Sequence, residues 1–258
     1  MVSAQGHFLN LQNPSSNLYE VETSVVLPAT IAWPANSNAI YEANAEVRPN
    51  TVFIRVDENL NVKSMGGFNL DLTLVDYLRE SKENTLSALY IDSEKTAETL
   101  IDFIQNTKAS DLFVVASSAN KELVKKVAST SPNVYGIVDF SDVNPANFDP
   151  ATAIAETHEA DARIALIPEA VASREVVDYM RGRLTTVWVA VSANKRSVYT
   201  QLTNGANGIY CENFELVVML KLTEELNIND FDLSELEDTS FSIYSNPFSL
   251  IFPEPEEK

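Results

Sequence analysis

The fold of this 258-residue chain is decided by the stretch Leu202-Thr203-Asn204-Gly205-Ala206-Asn207-Gly208-Ile209-Tyr210-Cys211-Glu212-Asn213-Phe214-Glu215-Leu216. Asn204 and Gly205 are of the residue types that end helices in a left-handed conformation, so a helix is predicted to stop near Leu202 and Thr203. The apolar run Gly208–Cys211 is typical of a buried parallel strand, and Asn213 is suited to cap the next helix. The stretch therefore predicts a helix, a tight turn, a buried strand and a second helix in immediate succession.

The same alternation of strand and helix extends back to Thr30. The strand candidates are Thr30–Trp33, Thr51–Val56, Leu86–Ile91, Asp111–Ala116, Asn133–Val138, Arg163–Ile167, Thr185–Val191 and Gly208–Cys211. The helix candidates are Ser37–Val47, Thr73–Ser81, Glu94–Asn106, Asn120–Ser129, Pro150–Glu159, Ala170–Arg181, Lys195–Thr203 and Phe214–Leu226. Runs such as Val187–Val191 do not alternate with polar residues, which indicates strands buried on both faces. Eight such strands alternating with helices predict an α/β protein with a (β/α)8, TIM-like barrel over residues 29–226.

Short extensions are predicted on both sides of the barrel. Residues 1–28 are polar apart from Tyr19–Leu27, which partly alternates like an edge strand. Residues 227–258 form an acidic extension in which Ser240–Phe252 could add one or two edge strands, and this extension could pair with the amino-terminal strand beneath the barrel. A short hairpin, Asp57–Ser64, is predicted to follow the second strand.

Composition excludes some classes of function. The formal net charge is −19 and no cluster of lysine and arginine is visible, which argues against a nucleic-acid partner. No apolar run of the length needed for a membrane-spanning helix is present. The single cysteine, Cys211, permits no disulfide within the chain.

The turn residues and spacing of Leu202–Leu216 resemble the last β/α unit of the glycerophosphodiester phosphodiesterase family. That unit carries a Gly-x-Asp-Gly-Ile-x-Thr-Asp-x-Pro pattern and closes a TIM barrel. Gly205, Gly208 and Ile209 match the pattern and Asn207 and Glu212 nearly match it, whereas Cys211 and Phe214 depart from it.

The resemblance implies a divalent ion held by carboxylates, two histidines as acid and base, and cationic groups on the phosphate. The positions where the family has these groups are occupied by other residues. Trp33 and Pro34 stand at the end of the first strand, Arg55 in the second, and Tyr90 and Asp92 at the end of the third. The two histidines, His7 and His158, lie away from the predicted strand ends. The resemblance thus implies a barrel whose catalytic residues are lost.

Five acids remain at or just beyond strand ends as candidates for a binding site: Asp57, Asp92, Asp139, Glu169 and Glu212. Convergent carboxylates could bind Ca²⁺ or Mg²⁺, or act as the acid and nucleophile of a glycosidase. Acids in such positions more commonly cap the next helix or face water. No Cys/His spacing typical of a metal site is present.

Two functions are therefore predicted. The first is a catalytically inactive, glycerophosphodiesterase-like barrel that needs no cofactor and serves as a binding or structural module, with protein partners docking through the terminal extensions. The alternative is a divalent-metal-dependent phosphodiester or glycoside hydrolase that uses the strand-end carboxylates. The resemblance also favours a secreted or surface setting, while the oligomeric state is left open.

Overall fold

The computed structural model describes residues 29–32, 49, 51–80, 86–107, 114–131 and 134–225. Its strands are β1 (Ala29–Ala32), β2 (Thr51–Val56), β3 (Asn61–Lys63), β4 (Asn69–Thr73), β5 (Leu86–Tyr90), β6 (Val114–Ser118), β7 (Tyr135–Asp139), β8 (Ile164–Pro168), β9 (Thr186–Ala190) and β10 (Gly208–Cys211). Its helices are α1 (Leu74–Glu80), α2 (Glu94–Thr107), α3 (Lys121–Ala128), α4 (Pro150–Glu159), α5 (Arg174–Arg181), α6 (Lys195–Thr203) and α7 (Phe214–Glu225).

Eight parallel strands close into a barrel. Their order is β1-β2-β5-β6-β7-β8-β9-β10, and β1 pairs with both β2 and β10, so no edge strand remains in the ring. The remaining strands, β3 and β4, form an antiparallel hairpin that continues from β2. The predicted (β/α)8 barrel is confirmed, and so is the hairpin after the second strand.

The barrel strands are buried on both faces. An inner cluster that includes Phe53, Ile137 and Trp188 fills the barrel, while the alternate residues Ile54 and Val138 pack outward beneath the helices. The strands are therefore apolar at consecutive positions, as the runs in the sequence predicted.

The Leu202–Leu216 stretch forms the predicted joint, with one correction. Asn204 is right-handed helical, with φ −72°, and Gly205 alone takes the left-handed conformation, with φ +82°. Glycine has no Cβ penalty there, so the single residue is enough to redirect the chain. The side chain of Asn213 accepts a hydrogen bond from Leu216 N at 3.2 Å, which confirms the predicted cap of α7.

Local hydrogen bonds set several helix starts. At the start of α1, Thr73 Oγ1 accepts a bond from Asp76 N and donates one to the Asp76 carboxylate, so the predicted box-like pair is present. Asp149 accepts bonds from the first turn of α4. The predicted helix Ala170–Arg181 begins later, at Arg174, because Ser173 caps it and a 3₁₀ turn, Glu169–Val171, precedes it.

Three strands end further along the chain than predicted: β6 runs to Ser118, β7 to Asp139 and β8 to Pro168. Ser117 and Asp139 are therefore strand residues and not loop residues. Residues 1–28, the predicted helix Ser37–Val47 and the acidic extension 227–258 lie outside the described residues. Within the described ranges, no helix is both long enough and apolar enough to cross a bilayer.

Candidate functional site: the mouth of the barrel

The carboxyl ends of the eight strands surround the mouth of the barrel, where the loops that follow the strands converge. Residue alternation decides which side chains point into it. Phe53 and Ala88 belong to the inner cluster, so Arg55 in β2 and Tyr90 in β5, two positions further on, also face inward. In β7, Ile137 is inner and Val138 is outer, which turns Asp139 inward. Tyr210 in β10 packs on the inner cluster as well.

We call Arg55, Tyr90, Asp139 and Tyr210 the mouth cluster. The guanidinium carbon of Arg55 lies 4.7 Å from the centre of the Tyr90 ring, a cation–π contact. The ring of Tyr210 packs edge-on against Phe53, with 5.0 Å between the ring centres. The mouth cluster thus contains one cation, one carboxyl group and two phenols.

The electrostatics of the cluster are coupled. Burial raises the pKa of Asp139, while hydrogen bonds from Ser141 and the charge of Arg55 act in the opposite direction. Burial and the charge of Asp139 also raise the pKa of both Tyr90 and Tyr210. Both phenols are therefore neutral hydrogen-bonding groups at physiological pH.

The ion pair of Arg55 is long and solvent-exposed. Arg55 Nη1 lies 3.6 Å from Oδ2 of Asp92, and the two side chains are 33% and 54% exposed. An ion pair of this exposure contributes about 0–1 kcal/mol. The Nε of Arg55 is shielded from solvent, yet it has no hydrogen-bond partner among the described residues.

Ser117 in β6 carries a second unpartnered group. Its neighbour Ala116 packs outward, so Ser117 faces the barrel interior, beside Tyr90 in the register of β5 and β6. Its hydroxyl is fully buried and makes no hydrogen bond within the described part of the chain. A buried polar group left without a partner costs about 1–3 kcal/mol, so both orphaned groups mark places where a ligand atom would be stabilising.

The hairpin loop contributes to the same region. Met65, between β3 and β4, is partly buried and packs against the inner cluster together with Tyr90 and Tyr210. Loop residues that reach over strand ends commonly determine what a barrel binds.

The five predicted strand-end acids have separate surroundings. Asp57 closes the hairpin turn: its carboxylate accepts bonds from the backbone N–H groups of Asn59 and Asn61, both at 2.9 Å, and lies 3.2 Å from the Lys63 ammonium. Glu169 accepts bonds from the amide and hydroxyl of Ser192 at 3.1 and 2.7 Å and so ties the loops after β8 and β9 together.

The other three acids lie at or near the mouth. Asp92 follows β5 and reaches Arg55, and Asp139 belongs to the mouth cluster. Glu212 follows β10 and is exposed. Across the described ranges, no group of three Asp, Glu, His or Cys side chains is placed to hold a metal ion.

The remaining candidates divide by location. Trp33 and Pro34 lie outside the described residues, as does His7. His158 sits in the last turn of α4, where its Nε2 is 3.2 Å from Thr185 Oγ1, at the amino-terminal end of the barrel. It is therefore on the side opposite the mouth.

Sequence reasoning missed Ser117, Tyr210 and Met65 as residues of the mouth. For Ser117 and Tyr210 the available signal was the alternation of side chains along a strand, because each shares the inward face of its strand with a buried residue. Met65 carried no such signal, since a hairpin loop has no period that predicts where it folds.

Comparisons with known proteins support the fold. No family model and no curated protein matches the sequence. Among solved structures, a glycerophosphodiester phosphodiesterase from Parabacteroides distasonis superimposes with a TM-score of 0.56 at 13% identity, over 76% of this chain and 99% of that one. A phosphodiesterase from Oleispira antarctica, solved with its product sn-glycerol-3-phosphate, gives a TM-score of 0.57 at 12% identity, over 74% and 96%.

A different enzyme shares the same architecture. Dihydropteroate synthase from Thermus thermophilus gives a TM-score of 0.53 at 10% identity, over 77% of this chain and 94% of that one. The predicted resemblance to the glycerophosphodiester phosphodiesterases is confirmed as a likeness of fold, and the chemistry has to be argued from the residues at the mouth.

Proposed function

We propose that this chain is a glycerophosphodiesterase-like barrel that binds a small phosphorylated ligand at its mouth without hydrolysing it, and serves as a binding module of a larger assembly. The observation that carries the proposal is Arg55, whose shielded Nε–H has no acceptor among the described residues. A phosphate oxygen would supply that acceptor.

The environment of Arg55 suits an anion. Guanidinium groups bind phosphate through two parallel N–H···O bonds, which a single neighbouring carboxylate does not saturate. The contact with Asp92 is long and solvent-exposed, so a ligand would displace it at a cost of about 1 kcal/mol or less. The stacked ring of Tyr90 holds the guanidinium in place and its phenol remains a neutral donor.

The ligand class follows from the neighbouring folds. The Oleispira phosphodiesterase was solved with sn-glycerol-3-phosphate, a phosphate attached to a small polyol. In this chain the phosphate would meet Arg55, and the polyol hydroxyls would meet the carboxyl group of Asp139 and the phenol of Tyr210.

Hydrolysis is disfavoured by what surrounds the mouth. The family chemistry implied by the resemblance needs two histidines, whereas the one histidine of the described residues, His158, lies at the far end of the barrel. A guanidinium also stands in the second strand, where the family places carboxylates for its metal ion. A fixed cation there would repel a divalent ion.

Hydrolysis of bis(p-nitrophenyl) phosphate and glycerophosphocholine by the purified full chain is the first test. We expect no turnover above a blank prepared identically. Activity that persists through purification and is abolished by Asp92→Asn would overturn the inactive assignment.

Binding is tested by isothermal titration of sn-glycerol-3-phosphate into the wild type, Arg55→Met and Arg79→Met. Arg79 lies on α1, is 71% exposed and, among the described residues, pairs only with the neighbouring Asp76, so it is a control for the loss of one positive charge. We expect binding to the wild type and to Arg79→Met, and its loss in Arg55→Met. Equal heats from all three proteins would place the ligand elsewhere and refute the role of Arg55.

The metal-dependent hydrolase stays the second candidate because Asp139 and Asp92 give the mouth two carboxyl groups, one with a raised pKa as a general acid requires. It is tested by thermal melting with millimolar Ca²⁺, Mg²⁺ or Mn²⁺, since a ligand of the folded state raises the midpoint. A rise that disappears in the double variant Asp92→Asn/Asp139→Asn would support this candidate, and an unchanged midpoint would count against it.

A further inference from the structure

The hairpin places a second cation beside Arg55. In the antiparallel pair of β2 and β3, Lys63 lies directly opposite Arg55, and Val62 lies opposite Val56. Paired residues of antiparallel strands project from the same face of the sheet, with their Cβ atoms about 4.5–5.5 Å apart. Because Arg55 faces the mouth of the barrel, Lys63 faces it as well.

The packing of the neighbouring residues agrees with this orientation. Val56 and Val62 are buried in the same cluster as Ile54, beneath the helices and outside the barrel. Successive side chains along a strand point to opposite faces, so Lys63, which follows Val62, points inward. Met65, two positions further on, packs against the inner cluster. The residues on both sides of Lys63 therefore assign its side chain to the mouth.

Each of the two cations has one carboxylate partner among the described residues. Arg55 Nη1 lies 3.6 Å from Asp92 Oδ2, and Lys63 Nζ lies 3.2 Å from Asp57 Oδ2. The side chains of Arg55 and Lys63 are 33% and 35% exposed, so a ligand that enters from solvent can reach both. An ammonium group has three N–H donors, and the contact with Asp57 does not saturate them.

The carboxylate of Asp57 does not depend on Lys63. It also accepts hydrogen bonds from the backbone N–H groups of Asn59 and Asn61, both at 2.9 Å, and from the side-chain amide of Asn61 at 3.2 Å. These bonds keep the carboxylate satisfied when the ammonium group turns away. Since an ion pair of this exposure is weak, Lys63 can turn toward an anion in the mouth at little cost.

The charge of the pair determines which anion suits it. Like charges on directly opposed residues of a sheet are destabilising, and a ligand with two negative charges relieves that repulsion more fully than a ligand with one. A phosphate monoester carries a charge of about −2 above its second pKa of about 6, whereas a phosphodiester carries one negative charge. A monoester also presents three terminal oxygens to the donors, and a diester presents two.

We propose that Arg55 and Lys63 together bind the terminal phosphate of a monoester, so that the mouth selects phosphate monoesters over phosphodiesters. The guanidinium donates to two phosphate oxygens through its fork of N–H groups, and the ammonium group of Lys63 binds the third. The orphaned Nε–H of Arg55 gains its acceptor in this arrangement. The inference rests on the proposed function, because it concerns the same site and names the class of ligand.

Isothermal titration of the wild type tests the selectivity without any substitution. The ligands are sn-glycerol-3-phosphate and its phosphate methyl ester, which differ by one methyl group and one negative charge at pH 8. We expect the monoester to bind about tenfold more tightly, an effect between those of an exposed ion pair and a buried charged hydrogen bond. Equal affinities, or tighter binding of the methyl ester, would overturn this inference and leave the proposed function standing. Binding of neither ligand would overturn both.

Lys63→Met tests whether Lys63 is the source of the selectivity. We expect this variant to bind the monoester about tenfold more weakly and the methyl ester within about twofold of the wild type, because the methyl ester lacks the third terminal oxygen. Lys63→Arg should keep the selectivity, since a guanidinium group can donate to the same oxygen. Undiminished monoester binding by Lys63→Met would contradict the inference.

Lys95→Met is the matched control. Lys95 lies in the first turn of α2, is 68% exposed and pairs at 2.6 Å with Glu58, which lies in the same hairpin as Lys63. The control therefore removes one positive charge and one ion pair from the same region without changing the inner face. It should bind both ligands like the wild type.

Thermal melting separates a direct contact from a loss of structure. Unliganded Lys63→Met should melt close to the wild type, because Asp57 keeps its bonds to Asn59 and Asn61. Saturating sn-glycerol-3-phosphate should raise the midpoint of the wild type and of Lys95→Met more than that of Lys63→Met. A lower midpoint for unliganded Lys63→Met, with equal weakening of monoester and methyl ester, would show a structural role for Lys63 and overturn the inference.

Discussion

Gly208→Ala should destabilise the barrel strongly, because Gly208 lies where the centre of the barrel has no free space. A Cβ at this position would lie 2.5 Å from Cδ1 and 2.7 Å from Nε1 of Trp188, and 2.6 Å from Cδ1 of Ile31. Ordinary carbon contacts are about 3.5–4.0 Å, so these atoms would have to separate by about 1 Å. Trp188 and Ile31 are fully buried in the inner cluster, which leaves the tryptophan ring no direction in which to move freely.

The expected magnitude follows from three opposing terms. Burying one extra methyl group contributes about 0.8 kcal/mol, and restricting the unfolded chain contributes about 0.4–1 kcal/mol. Overpacking a rigid core costs about 1–3 kcal/mol and sometimes more. Three close contacts to fully buried groups place this site beyond that range, so we expect a net loss of about 2 kcal/mol and a melting temperature lower by about 4–8 °C.

The assay is thermal and urea unfolding followed by circular dichroism, with Gly66→Ala as the matched control. A Cβ at Gly66 would come no closer than 3.4 Å to any atom, and the nearest is the flexible ring of Phe68. The double variant Ile31→Val/Gly208→Ala should lose less stability than the sum of the single variants, because Ile31→Val removes the offending Cδ1. A Gly208→Ala protein that melts with the wild type and with Gly66→Ala would refute the packing argument.

Three further predictions concern individual side chains. Asn207→Ala should cost about 1–3 kcal/mol, because Asn207 Oδ1 accepts from the buried Val187 N at 2.9 Å; urea unfolding beside the exposed control Thr203→Ala measures the loss, and equal midpoints would contradict it. Burial acts to raise the pKa of Asp57, but hydrogen bonds from Asn61, Asn59 and Lys63 outweigh it and lower the pKa to about 2. The ionised carboxylate therefore contributes about 1 kcal/mol, after solvent screening, to the free energy of unfolding above pH 4, and this contribution is lost as the pH falls toward 2. In Asp57→Asn, the free energy of unfolding should fall less between pH 4 and pH 2 than it does in the wild type. Burial raises the pKa of Cys211 to about 11, so the native thiol should resist a disulfide reagent at pH 8 and react fully in urea, whereas rapid native labelling would show that β10 opens.

The candidate site was only partly predictable from the sequence. The sequence predicts Tyr90, Asp92 and Asp139 at or just beyond strand ends and Arg55 within the second strand, since the end of an apolar run is visible in the sequence. Their grouping was not visible, because it depends on which face of each strand turns inward and how far each strand extends. Asp139 joined the mouth cluster because β7 ends one residue later than predicted.

For Asp57 and Glu169 the position was predicted correctly, but the side chain does not contribute to the mouth. Both lie beyond strands, as predicted, but their carboxylates are engaged by local backbone and side-chain donors at Asn59, Asn61 and Ser192. A position near a strand end is a property of the sequence, whereas the direction of a side chain is decided by its hydrogen-bond partners.

The sequence by itself determined the order of strands and helices, because hydrophobic period, capping residues and the glycine turn at Gly205 act over a few neighbouring residues. Only the tertiary structure decided that β1 pairs with both β2 and β10, which closes the ring and brings Arg55 and Tyr210 to one mouth. Closure and register depend on contacts between residues far apart in the chain, and no local pattern encodes their distance.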